Sequence, residues 1–320
     1  MEKQNNAFKN KMKQSRWVKY RDVIIVWCMM LPGVVYLLIN NYLPMYGITV
    51  AFREPDFSNF LGSDFIGFEH FTFIFESPDI WNYIRNTVVY NLLFMVLNIV
   101  IPITLAILFT YITGKTSKKI YQTCILLPYL MSWVIVSYIA EAFLNAESGM
   151  INGIIRQLGG TEIKFYEEEK WWPWFLTFFN TWKGVGYSFL FYYSSILAIN
   201  PSYYEAAKLD GANFWQQVWH ITLPGVKTTI ITMFILSISK VFYSDFGLFY
   251  LVTKQGGNGA LYDTVLTLDS YIYMLVKDPS IGGDYYGSSA LGVLQAGCGF
   301  VLVVIANAIL RKVDPESSLF

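Results

Sequence analysis

Four stretches of this chain carry no formal charge over the length of a membrane-crossing helix, which leaves a lipid bilayer as the solvent most of it can fold in. Val23–Phe52, Asn86–Gly114, Ile120–Ala140 and Tyr285–Leu310 contain no Asp, Glu, Lys or Arg, and each reaches the ~20 residues a spanning α-helix needs. Two further apolar stretches hold isolated charges: Trp171–Ile199 around Lys183, and Thr228–Val252 around Lys240 and Asp245. A closed β-barrel would alternate in ~10-residue pieces, and these runs do not. The expected fold is therefore an all-α polytopic membrane protein, with six transmembrane helices near 23–43, 86–112, 120–144, 174–199, 228–251 and 288–310. Charged residues make up 14% of the chain, against ~25% in soluble domains. So few charges cannot coat a globule without leaving large apolar patches in water. The same composition excludes disorder, collagen and a disulfide-rich scaffold.

Orientation follows from where the bases lie. The N-terminal tail, the second–third loop, the fourth–fifth loop and the C-terminal tail together hold fourteen bases and six acids; the opposite loops hold seven bases and fifteen acids. The basic side is the cytoplasmic one, so both termini are expected in the cytoplasm of a multi-pass cell-membrane protein. The corresponding division is a basic tail (1–22), a first helix (23–43), an external segment (44–85), a five-helix core (86–310) with a cytoplasmic loop (200–224), and a second tail (311–320). The basic head and apolar run resemble a secretory signal, but the run is too long and Asn40-Asn41-Tyr42-Leu43-Pro44 offers no small-x-small cleavage site. Cys28, Cys124 and Cys298 all fall inside spans, with neither disulfide nor zinc spacing.

The loop 200–224 departs most from an ordinary linker. Asn200 with Pro201, or Ser202 with Glu205, can cap a first short helix; Asp210-Gly211 breaks it; Asn213 with Gln216 can cap a second; Pro224 stops it. Tyr203, Tyr204, Phe214, Trp215 and Trp219 are large rings that a water-facing linker does not need. Aromatic anchors on a helical hairpin suit a protein-docking surface.

Glu205-Ala206-Ala207, three residues, Gly211, nine residues, then Ile221-x-Leu223-Pro224 match every fixed position of the EAA motif, and the chain thereby resembles the binding-protein-dependent ABC importer permeases. Leu31-Pro32-Gly33, Tyr42 to Gly47, Asn86-Thr87, Leu127-Pro128-Tyr129, Trp182 to Gly186 and Arg311 to Pro315 are similar to the members that take up oligosaccharides. The resemblance implies a type I ABC importer permease fold. It implies that Tyr203, Tyr204, Glu205, Ala206, Ala207, Asp210, Gly211, Trp215, Ile221, Leu223 and Pro224 dock a separate ATPase. The implied partners are a second homologous permease, an ABC ATPase dimer and an extracytoplasmic substrate-binding protein, besides the lipid bilayer. The stretch Thr253 to Gly287 is longer than the group's pattern suggests.

No G-x-x-x-x-G-K-[ST] loop is present, so ATP and Mg2+ are expected on the partner ATPase and no cofactor on this chain. His70 and His220 lie outside any ligand cluster, so neither a metal site nor catalytic chemistry is expected, and the neutral overall charge indicates no nucleic acid. Inside the membrane, Glu141, Lys183, Lys240 and Asp245 are costly groups that face protein, water or a partner charge. Asn180, Lys183, Gly184 and Tyr187 share a helical face. They form either a polar stripe along the translocation path or a structural arrangement in which Lys183 snorkels or pairs with Asp245 or Glu141. Glu167, Glu168 and Glu169 face a binding protein or solvent, and Trp171, Trp172 and Trp174 read as an interfacial belt. The function expected is carbohydrate import by alternating access. Import of another solute such as glycerol phosphate, or ion-coupled secondary transport, are the alternatives.

Overall fold

A computed structural model describes residues 20–21, 23–56, 62–254, 259–277 and 284–313. The basic tail up to Lys19, Asp22, and the tail from Asp314 onward, which all enter the charge asymmetry, lie outside the described residues. The described chain is helical apart from turns and one isolated antiparallel bridge, Arg53 to Phe65. It divides into two units, Met1–Phe68 and Glu69–Phe320.

In the first unit, α1 runs Val23–Phe52, nine residues beyond the expected end at 43, through a π segment Leu38–Tyr42 and a 3-10 segment Leu43–Phe52. Its apolar side chains up to Ile48 are exposed, as lipid-facing side chains are, whereas Val50 and Ala51 are buried. Past it, Glu54 N donates to Asp64 O (2.9 Å) and Ile66 N to Phe52 O (2.9 Å), and the Phe52 ring meets Phe68 edge-on at 5.4 Å.

The second unit holds α2 (Glu69–Glu76), α3 (Pro78–Thr110), α4 (Lys115–Leu130), α5 (Trp133–Leu144), α6 (Met150–Gln157), α7 (Trp172–Leu197), α8 (Pro201–Leu209), α9 (Phe214–Gly225), α10 (Lys227–Ile238), a π-helical α11 (Gly247–Val252), α12 (Tyr262–Val265), α13 (Leu268–Lys277) and α14 (Tyr285–Val313). Among the described residues three helices, α1, α3 and α14, are long and apolar enough to cross a membrane unbroken, and counting each of the bent pairs α4–α5 and α9–α10 as one span raises the number to five. The expected fourth span is α7, whose 26 residues reach ~39 Å at ~1.5 Å each. Its apolar run is interrupted by Asn180, Thr181 and Lys183 and diluted by Trp, Tyr, Ser and Gly residues.

Two of the expected straight spans are broken. The third splits into α4 and α5, which meet at 98°. Pro128 has no N–H to continue the ladder, and Ser132 restarts it, its hydroxyl accepting from Ile135 N at 3.3 Å. The fifth ends at Ile238 after 12 residues, ~18 Å, too short for a ~30 Å core. Ser237 and Ser239 bond back to the carbonyls of Met233 and Leu236 (2.8 Å each), the local competition that unsettles a helix end. Ser239–Asp245 is non-helical, and helix resumes at Phe246.

The helices α3 and α7 run side by side in the same direction and build two apolar cores. One gathers Tyr90 and Phe94 with Leu176 and Phe179; the other gathers Ile103, Ile107 and Phe109 with Phe189, Tyr192 and Ile196. Lipid is as apolar as leucine, so such cores hold by close packing and by interhelical hydrogen bonds. Between them lies a polar layer, in which Asn98 Nδ2 donates to Asn180 Oδ1 (3.0 Å) beneath Gly184. Gly186 lets α7 close on α4, since a Cβ there would meet Ile125 O at 2.5 Å.

Candidate functional site

The loop 200–224 folds as the expected hairpin. Asn200, not Ser202, caps α8, its side chain accepting from Ser202 N (3.0 Å) with Pro201 in the first turn. Asn213 and Gln216 form a reciprocal capping box at 2.7 and 2.9 Å. Between them Gly211 takes φ +79°, and a Cβ added at this position would meet nothing within 4 Å. Its backbone angle, and not crowding, therefore demands glycine.

The rings of this hairpin divide by role. Tyr203 is 62% exposed, Trp215 66%, Trp219 64% and Leu209 89%. Tyr204 is half-buried, and its hydroxyl bonds Thr222 Oγ1 at 2.9 Å, tying α8 to α9. Phe214 packs on Tyr111 (5.1 Å), and Val218 and Val226 enter the second core. Ala207, Ile221 and Leu223 are likewise half-buried, whereas Glu205, Ala206, Asp210 and Pro224 lie open. The outward face is thus Tyr203, Leu209, Trp215 and Trp219. Leu209 was not singled out from sequence, because one leucine in a short helix carries no signal of direction.

A second constellation lies near mid-depth, where Lys183 is the twelfth of the 26 residues of α7. Lys183 Nζ donates to Tyr129 O (3.2 Å) and sits 5.6 Å from the Tyr129 ring and 5.0 Å from the Trp133 ring. The Tyr129 ring stacks on Tyr187 at 5.2 Å. Neither structural pairing considered for Lys183 is present. Glu141 is bonded by Lys254 Nζ at 2.8 Å, and Asp245 accepts from Trp133 Nε1 at 2.7 Å. Among the described residues Lys183 makes no ion pair, and the exposed Lys240 makes none either. Asn180 and Gly184 turn instead toward Asn98. The stripe is thereby split, with two members holding the polar layer and two facing the break between α4 and α5.

Supporting residues that sequence reasoning left unassigned complete the region. Asn91 Nδ2 donates to the carbonyls of Val241 (3.1 Å) and Tyr243 (2.9 Å), and Gln295 Nε2 to that of Phe242 (2.6 Å). Asp269 accepts from Ser244 N (2.6 Å) and Ser244 Oγ (2.9 Å). The unwound segment of the fifth span is thus held by side chains from three other helices. Residues 263–268 beyond it are held by the Asn86-Thr87 pair: Asn86 Nδ2 reaches Asp263 O (2.8 Å) and Leu266 O (3.1 Å), and Leu268 N reaches Thr87 Oγ1 (2.9 Å).

On the acidic loops, Trp172 is fully buried, with its Nε1 on Phe165 O at 2.8 Å, so it belongs to the first core and not to an interfacial belt. Its indole found an internal carbonyl, which a pattern of adjacent tryptophans cannot foretell. Trp174, 74% exposed, fits the belt. Hydrogen bonds from Lys170 and then Trp171 pull the Glu168 carboxyl below its usual range. Burial pushes the Tyr166 hydroxyl well above its usual range.

The family described as "Binding-protein-dependent transport system inner membrane component" matches residues 98–317. The polygalacturonan/rhamnogalacturonan transport system permease protein YteP of Bacillus subtilis (strain 168) is 34% identical over 97% of this chain and 94% of its own length. Protein LplB of the same organism is 32% identical over 95% and 92%. Among solved structures, a chain of a bacterial ABC transporter involved in the import of the acidic polysaccharide alginate superposes with a TM-score of 0.81 at 29% identity, covering 93% of this chain and 99% of that one. The bacterial alginate ABC transporter in complex with an alginate pentasaccharide-bound periplasmic protein matches with a TM-score of 0.80 at 28% identity, over 93% and 97%.

Proposed function

The chain belongs to the family of binding-protein-dependent transport system inner membrane components, and from that premise we propose that it forms one wall of an ATP-driven importer that carries an oligosaccharide into the cell. It is a multi-pass membrane transport component and not an enzyme. ATP and Mg2+ belong to separate ATPase subunits, and a second homologous permease completes the passage. An extracytoplasmic binding protein delivers the cargo, and both termini face the cytoplasm.

The observation that carries this reading is the hairpin α8–α9, capped at both starts, turned at Gly211, and presenting Tyr203, Leu209, Trp215 and Trp219 outward. Rings so exposed on a loop beyond the spans find an apolar environment only against another protein. Closure of an ATPase dimer would move this hairpin as a rigid body, since Tyr204–Thr222 ties its two helices together and the second core binds it to α3 and α7. Carbohydrate as cargo is supported by the similarity to the polygalacturonan/rhamnogalacturonan permease and to the alginate importer.

The test is reconstitution of the permease pair with its ATPase and binding protein in proteoliposomes. ATP-dependent accumulation of an oligogalacturonate is expected. Accumulation driven by an ion gradient without the ATPase would overturn the coupling. Uptake of glycerol phosphate and of no saccharide would overturn the cargo.

A further inference from the structure

The bend in the third span opens a groove. α4 stops at Leu130 and α5 leaves it at 98°, so that span does not continue in a straight line past the middle of α7. There a cavity of about 590 Å³ lies between three helices. α3 lines it from Leu97 to Leu105, α4 from Cys124 to Pro128 and α7 from Trp174 to Val185, while α5 contributes no lining residue. At the inner end α7 closes on α4, where Gly186 comes against the Ile125 carbonyl. At the other end stands Trp174, 74% exposed.

This groove has its own face of α7. Trp174, Phe178, Thr181 and Val185 follow one another at three or four residues, and Lys183 lies two residues from each of the last two, ~200° round the helix. The groove therefore looks away from Lys183 and Tyr187. Among the described residues no charged side chain lines it. Thr177 turns its hydroxyl back to Pro173 O (2.6 Å), and the Thr181 hydroxyl is buried without a partner. A sugar, which needs hydrogen bonds for its hydroxyls, finds none here. An apolar chain needs none, and its carbons gain dispersion contacts with the walls.

Length decides which apolar chain fits. Trp174 and Val185 are eleven residues apart, ~17 Å at ~1.5 Å each, about half the ~30 Å hydrocarbon core. A spanning helix such as α1, with 30 residues and hence ~45 Å long, would overrun it. The hydrocarbon of one leaflet matches, with Trp174 at the depth where an indole meets headgroups. We propose that the groove between α3, α4 and α7 binds one acyl chain of a phospholipid in the leaflet at the start of α7, the outer leaflet in the orientation given above. The chain fills the space beside the bend and stands apart from the passage of cargo, so the site requires no particular saccharide.

The test uses the full transporter in phosphatidylglycerol vesicles that contain a palmitoyl phosphatidylglycerol with a diazirine near the end of its chain. The complex is moved into detergent with excess unlabelled phosphatidylglycerol and then photolysed. Peptide mapping is expected to find label in 97–105, 124–128 and 174–185 at least about tenfold above that on α14 around the exposed Phe300, because a bound chain leaves slowly. Cys124→Trp and Thr181→Phe each place a ring in the groove and should bring its label down to the α14 level. Phe300→Trp, outside the groove, should not. Retention should follow the chain: unchanged with phosphatidylethanolamine, lost with decanoyl chains. Label that leaves the groove as fast as it leaves α14 would make this ordinary lipid-facing surface and overturn the site. Retention that follows the headgroup would overturn it too. So would a groove without label whose Cys124, carrying a photoreactive thiol reagent, cross-links to α1 or to the second permease, since a helix would then be the occupant. If neither filling variant assembles, the wild-type chase and the chain-length comparison decide by themselves.

Discussion

Single positions in the hairpin separate what folds it from what it presents. Gly211 at φ +79° is a place where a β-branched side chain costs roughly 1–2 kcal/mol. Gly211→Val is expected to misalign α8 against α9, cutting ATP-dependent uptake severely while membrane insertion, read by fractionation, stays normal. Full uptake in that variant would refute the coupling role. The exposed rings give the complementary case. Truncating both Tyr203 and Trp215 to alanine should weaken co-purification of the ATPase by about tenfold or more, because hot-spot rings commonly contribute ≥ ~2 kcal/mol. Tyr204→Phe, which removes only the bond to Thr222, should retain the ATPase and lose ~0.5–1.5 kcal/mol of stability. ATPase recovery that drops with Tyr204→Phe and holds in the double variant would reverse the assignment. Sequence could place all five rings on the loop, but the inward turn of Tyr204 and Phe214 depends on partners at Thr222 and Tyr111, one of them about a hundred residues away.

At the level of elements, the apolar runs were readable because a bilayer demands length and freedom from charge, and α1, α3 and α14 follow them closely. The breaks in the third and fifth spans were not. Pro128 and Ser132 are local signals for the first, yet prolines occur inside unbroken spanning helices as well, as Pro102 does in α3. The second break survives because Asn91, Gln295 and Asp269 satisfy its backbone from other helices, a fact of spatial neighbourhood. Asn91→Leu should therefore leave the Val241 and Tyr243 carbonyls without that donor and cost ~1–3 kcal/mol. Thermal unfolding of the purified permease in detergent would register this as a lowered midpoint. An unchanged midpoint would mean that the unwound segment does not need this support.

For the molecule as a whole, the parallel course of α3 and α7 agrees with alternate crossing of the membrane, since spans two apart must run the same way. The charge asymmetry adds the direction. A cysteine placed at Glu168 should react with a membrane-impermeant thiol reagent on intact cells, and one at Lys208 only after lysis. Labelling of position 208 from outside would invert the orientation and remove the hairpin from any ATPase. Sequence by itself determined the solvent, the apolar runs of the long helices, and the helical hairpin of loop 200–224 with its capping box at Asn213 and Gln216. Each of these depends on residues adjacent in the chain or at helical spacing. Tertiary structure alone decided that Trp172 is core, that the third span bends between α4 and α5 and the fifth unwinds after Ile238, and that Lys183 stands beside Tyr129 and Trp133 with no ion pair among the described residues. The reason is physical: a side chain's cost or use in a membrane is set by what faces it across a helix interface, and those partners lie tens to hundreds of residues apart in the chain.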